Sequence, residues 1–405
     1  MRTEKLTENR ILLLQELSKN PYLSNKDLIN IAGFKDRTYP TIAKRELTRQ
    51  GYLTENNFEI DYGRLCKNEI DILYAFIVFD CEDEYLQKIL RSIRSYRESF
   101  SLVEICFSSY LVSFYSDDNK KIREILDYLV DKGIVYSYII YKRHHKYYWR
   151  YPVFIKGNGK QASSIPSFDN LLKDREIPDL NFGKYERRLS LMDLRIIDHF
   201  QAGNLNCNLK KIQKYEKEHG NLFSYFKLKK SLRELIKRRI IEKKPYIFPY
   251  PSKECYKFVL CLRANTFENT QKIIFNLGEK TRIFEKITYV SSLDNKKKFG
   301  FLECVTSPVF FIKLMRNLDM YNEIVEKRVY IIKNYSKSLP AKNIPLEYYD
   351  LKTQELHFPF DEFFQDIKRM VEDDKNNRVM DKRPPLKENI SKKNKKKVFR
   401  RYTRV

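Results

Sequence analysis

His144 and His145 stand side by side in the segment YKRHHKYYWR, and imidazoles are the side chains best suited to hold a metal or move a proton near neutral pH. A strand that offers two ligands to one ion must place them two residues apart, because neighbouring side chains leave it on opposite faces. Adjacent histidines fail that test, and His199, His219 and His357 lie in unrelated contexts. The seven cysteines (Cys66, Cys81, Cys106, Cys207, Cys255, Cys261 and Cys304) are scattered and never spaced C-x-x-C. They read as small buried hydrophobes in a reducing compartment, and no metal is expected. The chain also lacks the phosphate-cradling G-x-x-x-x-G-K-[ST], the nucleotide-binding G-x-G-x-x-G and a nucleophile elbow. The reading is therefore of a protein that is not an enzyme, with no catalytic residue and no cofactor.

The mixture of cations and aromatics in YKRHHKYYWR could suit stacking on single-stranded nucleic acid. The simpler account is an aromatic strand end whose charges are solvated. Charge elsewhere is more informative. The net charge of +25 favours a polyanionic partner, and it is unevenly placed. Residues 381–405 hold eleven Lys and Arg against two acids, and residues 184–250 hold seventeen against seven. The corresponding N-terminal stretch, 1–65, has eleven against nine. A lysine-rich source organism would explain a high isoelectric point but not this asymmetry.

These charges need elements to position them. In LTENRILLLQELSKN, the residues Ile11, Leu13, Leu14 and Leu17 repeat at helical spacing. Ser24, with Asp27 three residues on, opens a second helix that Gly33 ends. Pro40 suits the first turn of a third helix burying Ala43 and Leu47. YLTENNFEID then predicts two short strands hairpinned about Asn56-Asn57. That order describes a winged helix-turn-helix. The plan recurs: RELTRQGYLTE at 45–55 is answered by RELIKRRIIEK at 233–243, within three further helical patterns and an aromatic strand.

Each such unit is followed by a strand–helix–strand–strand–helix–strand pattern, the ferredoxin-like order. In the first copy these are LYAFIVF, a helix over 83–98, LVEICFS, YLVSFYS, a helix over 118–132 and IVYSYIIYKR. In the second they are KFVLCLRA, a helix over 266–277, RIFEKITYVSS, FGFLECVTS, a helix over 308–318 and a strand through 324–332. The expected fold class is α+β: two tandem copies of a winged helix followed by a βαββαβ domain, plus a basic disordered tail. The boundaries are winged helix 1 at 1–65, ferredoxin-like domain 1 at 66–155, a Gly/Ser/Pro linker at 156–183, winged helix 2 at 184–250, and ferredoxin-like domain 2 at 251–335. A C-terminal extension over 336–380 and the tail, 381–405, complete the chain.

The third helix of a winged helix enters the DNA major groove, the only groove that admits one. The candidates on the first are Arg37, Thr38, Thr41, Lys44 and Arg45; on the second, Lys227, Lys229, Lys230, Arg233 and Lys237. Arginine reads guanine bidentately while lysine acts as a point charge on phosphate, so the first helix is suited to read and the second to grip. At the second wing tip, Lys243 and Lys244 reach backbone or minor groove. In the tail, Lys395, Lys396, Lys397, Arg400 and Arg401 add affinity without sequence preference by displacing counterions.

The passage RELTRQGYLTE and the strand pair in LVEICFSSYLVSFYS, set between two helices, resemble the Lrp/AsnC family of transcriptional regulators. The resemblance implies an N-terminal DNA-binding winged helix and a ligand-responsive sheet domain that dimerises. Family members usually carry one copy and a glycine-bearing turn between the central strands. Here that turn is Ser108-Ser109 in the first copy and LDNKKKFG in the second. The tandem form implies a monomer acting as a pseudo-dimer, or a homodimer, with double-stranded DNA and an unidentified small-molecule effector as partners. A replication initiator and an RNA-binding scaffold are the alternatives. No segment reads as a membrane span or signal peptide, which predicts a cytoplasmic, nucleoid-associated protein.

Overall fold

A computed structural model of the chain describes residues 6–34, 36, 38–54, 57–79, 81–103, 108–154, 168–201, 208–333 and 345–380. It is a mixed α and β structure. Arg37, Asn56, Cys106, Cys207, the first part of the expected linker and the whole basic tail lie outside these residues.

The chain begins with three helices, α1 (Glu8–Lys19), α2 (Asn25–Ala32) and α3 (Tyr39–Arg49), and two short strands, β1 (Leu53–Thr54) and β2 (Phe58–Ile60). Ser24 and Asp27 form a reciprocal capping box at α2, and Gly33 ends that helix at φ 66°, a left-handed conformation that only glycine adopts freely. A single turn, α4 (Tyr62–Leu65), leads into β3 (Asp71–Phe79), α5 (Asp83–Ser92), β4 (Tyr96–Ser101), β5 (Ser108–Ser116), α6 (Asn119–Asp131), β6 (Val135–Arg143) and β7 (Tyr148–Arg150). A second series of three helices follows: α7 (Leu191–Gln201), α8 (Leu209–Glu218) and α9 (Tyr225–Lys237), then β8 (Ile241–Lys243) and β9 (Tyr246–Ile247). Next come β10 (Tyr256–Ala264), α10 (Phe267–Asn276), β11 (Phe284–Ser292), β12 (Lys298–Thr306), α11 (Pro308–Leu318) and β13 (Ile324–Ile331). The described residues end in β14 (Tyr349–Asp350), β15 (Glu355–Leu356) and α12 (Phe360–Met380), whose Phe364 packs edge-on to Tyr128 of α6.

The long strands form one antiparallel sheet in the order β13-β10-β12-β11-β6-β3-β5-β4. Within it each half has the same internal order, and β6 of the first half meets β11 of the second at Tyr141–Ser292 and Arg143–Val290. The ends of the path also meet: Leu102, just past β4, bridges Ile332, just past β13, and Val103 N–H donates to Ile331 O at 2.8 Å. Closure leaves few unpaired edges. The inner faces interdigitate through aromatic pairs from opposite halves, including Tyr74–Phe301 at 4.7 Å and Phe76–Tyr330 at 3.8 Å. Gly300 lies on β12 where a Cβ would come within 2.5 Å of Ile274, so α10 packs directly on its backbone.

Three expectations are corrected. The helix expected over 83–98 stops at Ser92, and a strand, YRESFS, follows it; residues 104–107 of the expected strand LVEICFS lie outside the described residues. Tyr96 and Ser99 are the inward residues of YRESFS, a pattern too polar to be conspicuous. Among the described residues β1 and β2 do not pair with each other, as the expected hairpin about Asn56-Asn57 requires. Instead β1 pairs with β9 and β2 with β8, so each three-helix series shares its short strands with the other. Strands of two or three residues cannot stand alone. They are held because Leu53 and Ile247 enter the core of the first series, while Ile60 and Ile241 enter that of the second. Finally, residues 168–183 are packed rather than loose: Phe168, Leu171 and Leu180 join the core of the second half. Gly183 N–H donates to buried Asp61, whose carboxylate also pairs with Arg64 and Lys146.

Candidate nucleic-acid interface and an interior cation cavity

Helix α9 has two chemically distinct faces. Ser224 caps it by accepting from Lys227 N–H, and Leu228, Ser231 and Leu235 are buried. The Ser231 hydroxyl donates to Asp193, which also closes a capping box with Ser190 at the start of α7, so α9 is fixed to α7 by a buried polar contact as well as by apolar packing. On the opposite face Lys227, Lys229, Lys230, Arg233 and Lys237 are all exposed. Among the described residues none of these five has an ion-pair partner, whereas Arg238 is tied to Glu234 at 3.6 Å.

Helix α3 is built alike but carries less charge. Pro40, Ala43 and Leu47 are buried; Thr38, Thr41 and Arg45 are exposed, and Lys44 is half-buried. Thr41 Oγ1 accepts from Asn25 Nδ2 at 2.8 Å, which joins α2 to α3. Lys243 and Lys244 are not at a projecting wing tip. They sit half-buried where the exchanged strands cross: Lys243 N–H donates to the Tyr22 hydroxyl at 2.8 Å, and Lys244 Nζ pairs with Glu242 at 3.0 Å.

The segment YKRHHKYYWR departs from its expected solvated character. It spans the break between β6 and β7, which both run along β11. His144 Nε2 lies 2.6 Å from Ser291 Oγ and His145 packs edge-on to Tyr289. Burial, reinforced by neighbouring positive charge, pushes both imidazoles below the usual histidine range. Arg150 forms a buried pair with Glu285 at 2.6 Å; burial pushes the Glu285 carboxyl up, and the guanidinium opposes that rise. Arg143 is only 4% exposed.

Around Arg143 lies a cavity of about 90 Å³. Arg97 from β4, Arg143 from β6 and Lys286 from β11 supply three cations to its wall, and Glu59 of β2 is the one carboxylate in it among the described residues. Phenol rings of Tyr62, Tyr115, Tyr147 and Tyr246, with Phe58 and Trp149, make up most of the remainder. Lys286 is partnered behind the wall by Glu303 at 2.8 Å. Burial opposes the charge of Glu303, but Lys286 and the Tyr147 hydroxyl outweigh it and hold this carboxyl below its ordinary range. Arg97 pairs with Glu98 at 3.2 Å, and Glu59 accepts from Trp149 Nε1–H at 2.9 Å. Arg143 differs. It stacks on Tyr147 at 4.5 Å and Phe182 at 5.7 Å, and its Nε is buried without an acceptor. Of these lining residues only Arg143, Tyr147 and Trp149 stand in a segment that the sequence marks, and there for stacking on nucleic acid rather than for an interior site. The only local signal was the alternation of cations with aromatics in YKRHHKYYWR.

No family model and no curated protein matches the chain. Among solved structures, the siroheme decarboxylase NirDL is 10% identical over 90% of this chain and 99% of its own, with a TM-score of 0.47. A transcriptional regulator of Neisseria meningitidis in complex with L-Met is 17% identical over 34% of this chain and 88% of its own, with a TM-score of 0.27. LrpC of B. subtilis is 13% identical over 34% of this chain and 92% of its own, also at 0.27. The similarity to Lrp-type regulators thus extends over part of the chain. The expectation that the protein is not an enzyme is corrected, because the solved structure matched across 90% of the chain is that of an enzyme. No helix among the described residues is long and apolar enough to cross a membrane.

Proposed function

We infer that this chain is a DNA-binding transcriptional regulator built as two tandem units, each a winged helix followed by a βαββαβ domain, with the boundaries given above. The observation that carries this reading is the row of five exposed and unpaired cations on α9, set on a helix whose other face is fixed in a core. Such a row neutralises phosphates and releases counterions, while α3, with Thr38, Thr41 and Arg45 outward, supplies base contacts. Arg37 and the tail cations Lys395, Lys396, Lys397, Arg400 and Arg401 would add to both terms. The shared short strands tie the two units together, as one chain doing the work of a dimer. Because α3 and α9 differ in chemistry, the target would be non-palindromic. Footprinting of duplexes selected from a random pool tests the reading: an asymmetric protected site supports it, and a perfect inverted repeat counts against it.

A second reading, an enzyme that holds an anionic substrate against Arg143, is favoured by the interior cations. Incubation with a single-ring aromatic carboxylate such as 4-hydroxybenzoate, followed by a search for decarboxylated product, tests it directly.

A further inference from the structure

We propose that the cavity around Arg143 is a binding site for a small organic carboxylate carried on a flat, apolar body. Arg143 is always charged, and it is buried without a carboxylate partner among the described residues. A buried cation in that state is costly until an anion seats against it. Two rings, Tyr147 and Phe182, lie 4.5 and 5.7 Å from its guanidinium carbon, and its Nε has no acceptor, so a donor remains for the planar two-oxygen fork that a carboxylate presents. Arg97 and Lys286 raise the local positive potential, while Glu59, the one acidic group in the wall among the described residues, offsets part of the Arg143 charge and accepts from the Trp149 indole. The aromatic wall selects a flat apolar body rather than a hydrated ion.

Size narrows the class. About 90 Å³ is less than the roughly 150 Å³ of a cavity that takes one benzene ring, so it limits the enclosed part of the occupant to at most a single ring, well short of the roughly 300–1,000 Å³ that a drug-sized ligand occupies. The site is also placed to report on both halves. Its wall includes Phe58 and Glu59 of β2, Gln201 at the end of α7, and Tyr246 of β9, so an occupant touches the strands that the two three-helix series exchange. The assignment stands whether or not α9 binds DNA.

Trp149 is the single tryptophan of the chain and lies in the cavity wall, so its fluorescence reads the site without a label. The full chain is titrated with benzoate and 4-hydroxybenzoate, and with benzamide as the uncharged counterpart, at constant ionic strength. The proposal expects a saturable change with the carboxylates, at least about tenfold tighter than with benzamide, as loss of a charge-assisted pair dictates. Arg143→Met removes the response, Arg143→Lys weakens it, and Lys88→Ala on the exposed face of α5 leaves it unchanged. No saturable change with either carboxylate, an equal response to benzamide, or an undiminished response in Arg143→Met overturns the proposal. If Arg143→Met does not fold, the carboxylate–benzamide comparison in the native chain and the Arg143→Lys titration still decide it.

Discussion

Leu53 of β1 lies opposite Ile247 of β9, although the two belong to different three-helix series, and both are buried in the core of the first. The same exchange places Ile60 opposite Ile241 in the core of the second. Neither series therefore completes its own core. The two are expected to unfold together.

Leu53→Ala and Ile247→Ala should each cost about 2–5 kcal/mol, the range for truncating a fully buried aliphatic side chain. The double variant should fall short of additivity by roughly 0.5 kcal/mol or more, because the residues touch. Chemical denaturation followed by helix and tryptophan signals checks this. Two separated transitions would show that the series fold independently.

Replacing Lys229, Lys230 and Arg233 together by alanine should leave stability nearly unchanged, since all three are exposed and unpaired. Affinity for duplex DNA should fall, and the slope of log K against log salt should shrink by about 0.9 for each phosphate contact removed. Binding isotherms at several salt concentrations measure both. An unchanged slope would move the DNA contact away from α9.

Lys257 is buried beside the Phe248 ring, and burial lowers its pKa to about 8. An unfolded lysine titrates near about 10.4, so between these values the unfolded chain holds a proton that the folded chain has released. This group alone should therefore add stability as pH increases from about 8 toward about 10. The buried thiols oppose it: burial holds Cys66, Cys255, Cys261 and Cys304 above the ordinary range, so the unfolded thiols ionise first and stability is lost over the same window. Burial pushes Tyr96 and Tyr289 up to about 12, which extends that loss to higher pH. Lys257→Met should therefore steepen the fall and stabilise the neutral-pH protein by on the order of 2 kcal/mol. Melting temperatures of the two proteins across this range supply the comparison, and a variant whose pH profile parallels the parent's would rule Lys257 out.

Glu285 is fully buried and paired with Arg150 at 2.6 Å. Arg150→Met should destabilise by about 3–5 kcal/mol because it strands a buried carboxylate, while Arg150→Met combined with Glu285→Leu should recover much of that loss. Urea titration of these two variants, of Glu285→Leu alone and of the parent gives the cycle. A double variant as unstable as Arg150→Met would mean that shape, not charge, dominates.

Much of the order of elements could be read from sequence because the long strands and amphipathic helices announce themselves by period: α11, expected over 308–318, spans Pro308–Leu318. Capping residues were as legible, with Ser24 and Asp27 doing what their spacing implied. Long-range pairing was not. Nothing local in LT or YI says that Leu53 pairs with Ile247 rather than with a residue across a two-residue turn. β4 was missed because its inward residues, Tyr96 and Ser99, alternate with charge. The α9 cations were visible as a cluster and the structure leaves them exposed, yet the Arg143 cavity was hidden. Its wall draws on β2, β4, β6, β7 and β11, and only a closed sheet brings them together.

The most direct test of DNA binding by this chain is equilibrium binding to its selected duplex and to random duplex over a range of salt. The account predicts an affinity for the selected site at least about a thousandfold tighter than for random DNA, with an asymmetric footprint. Equal affinities and equal salt slopes on the two duplexes would contradict it.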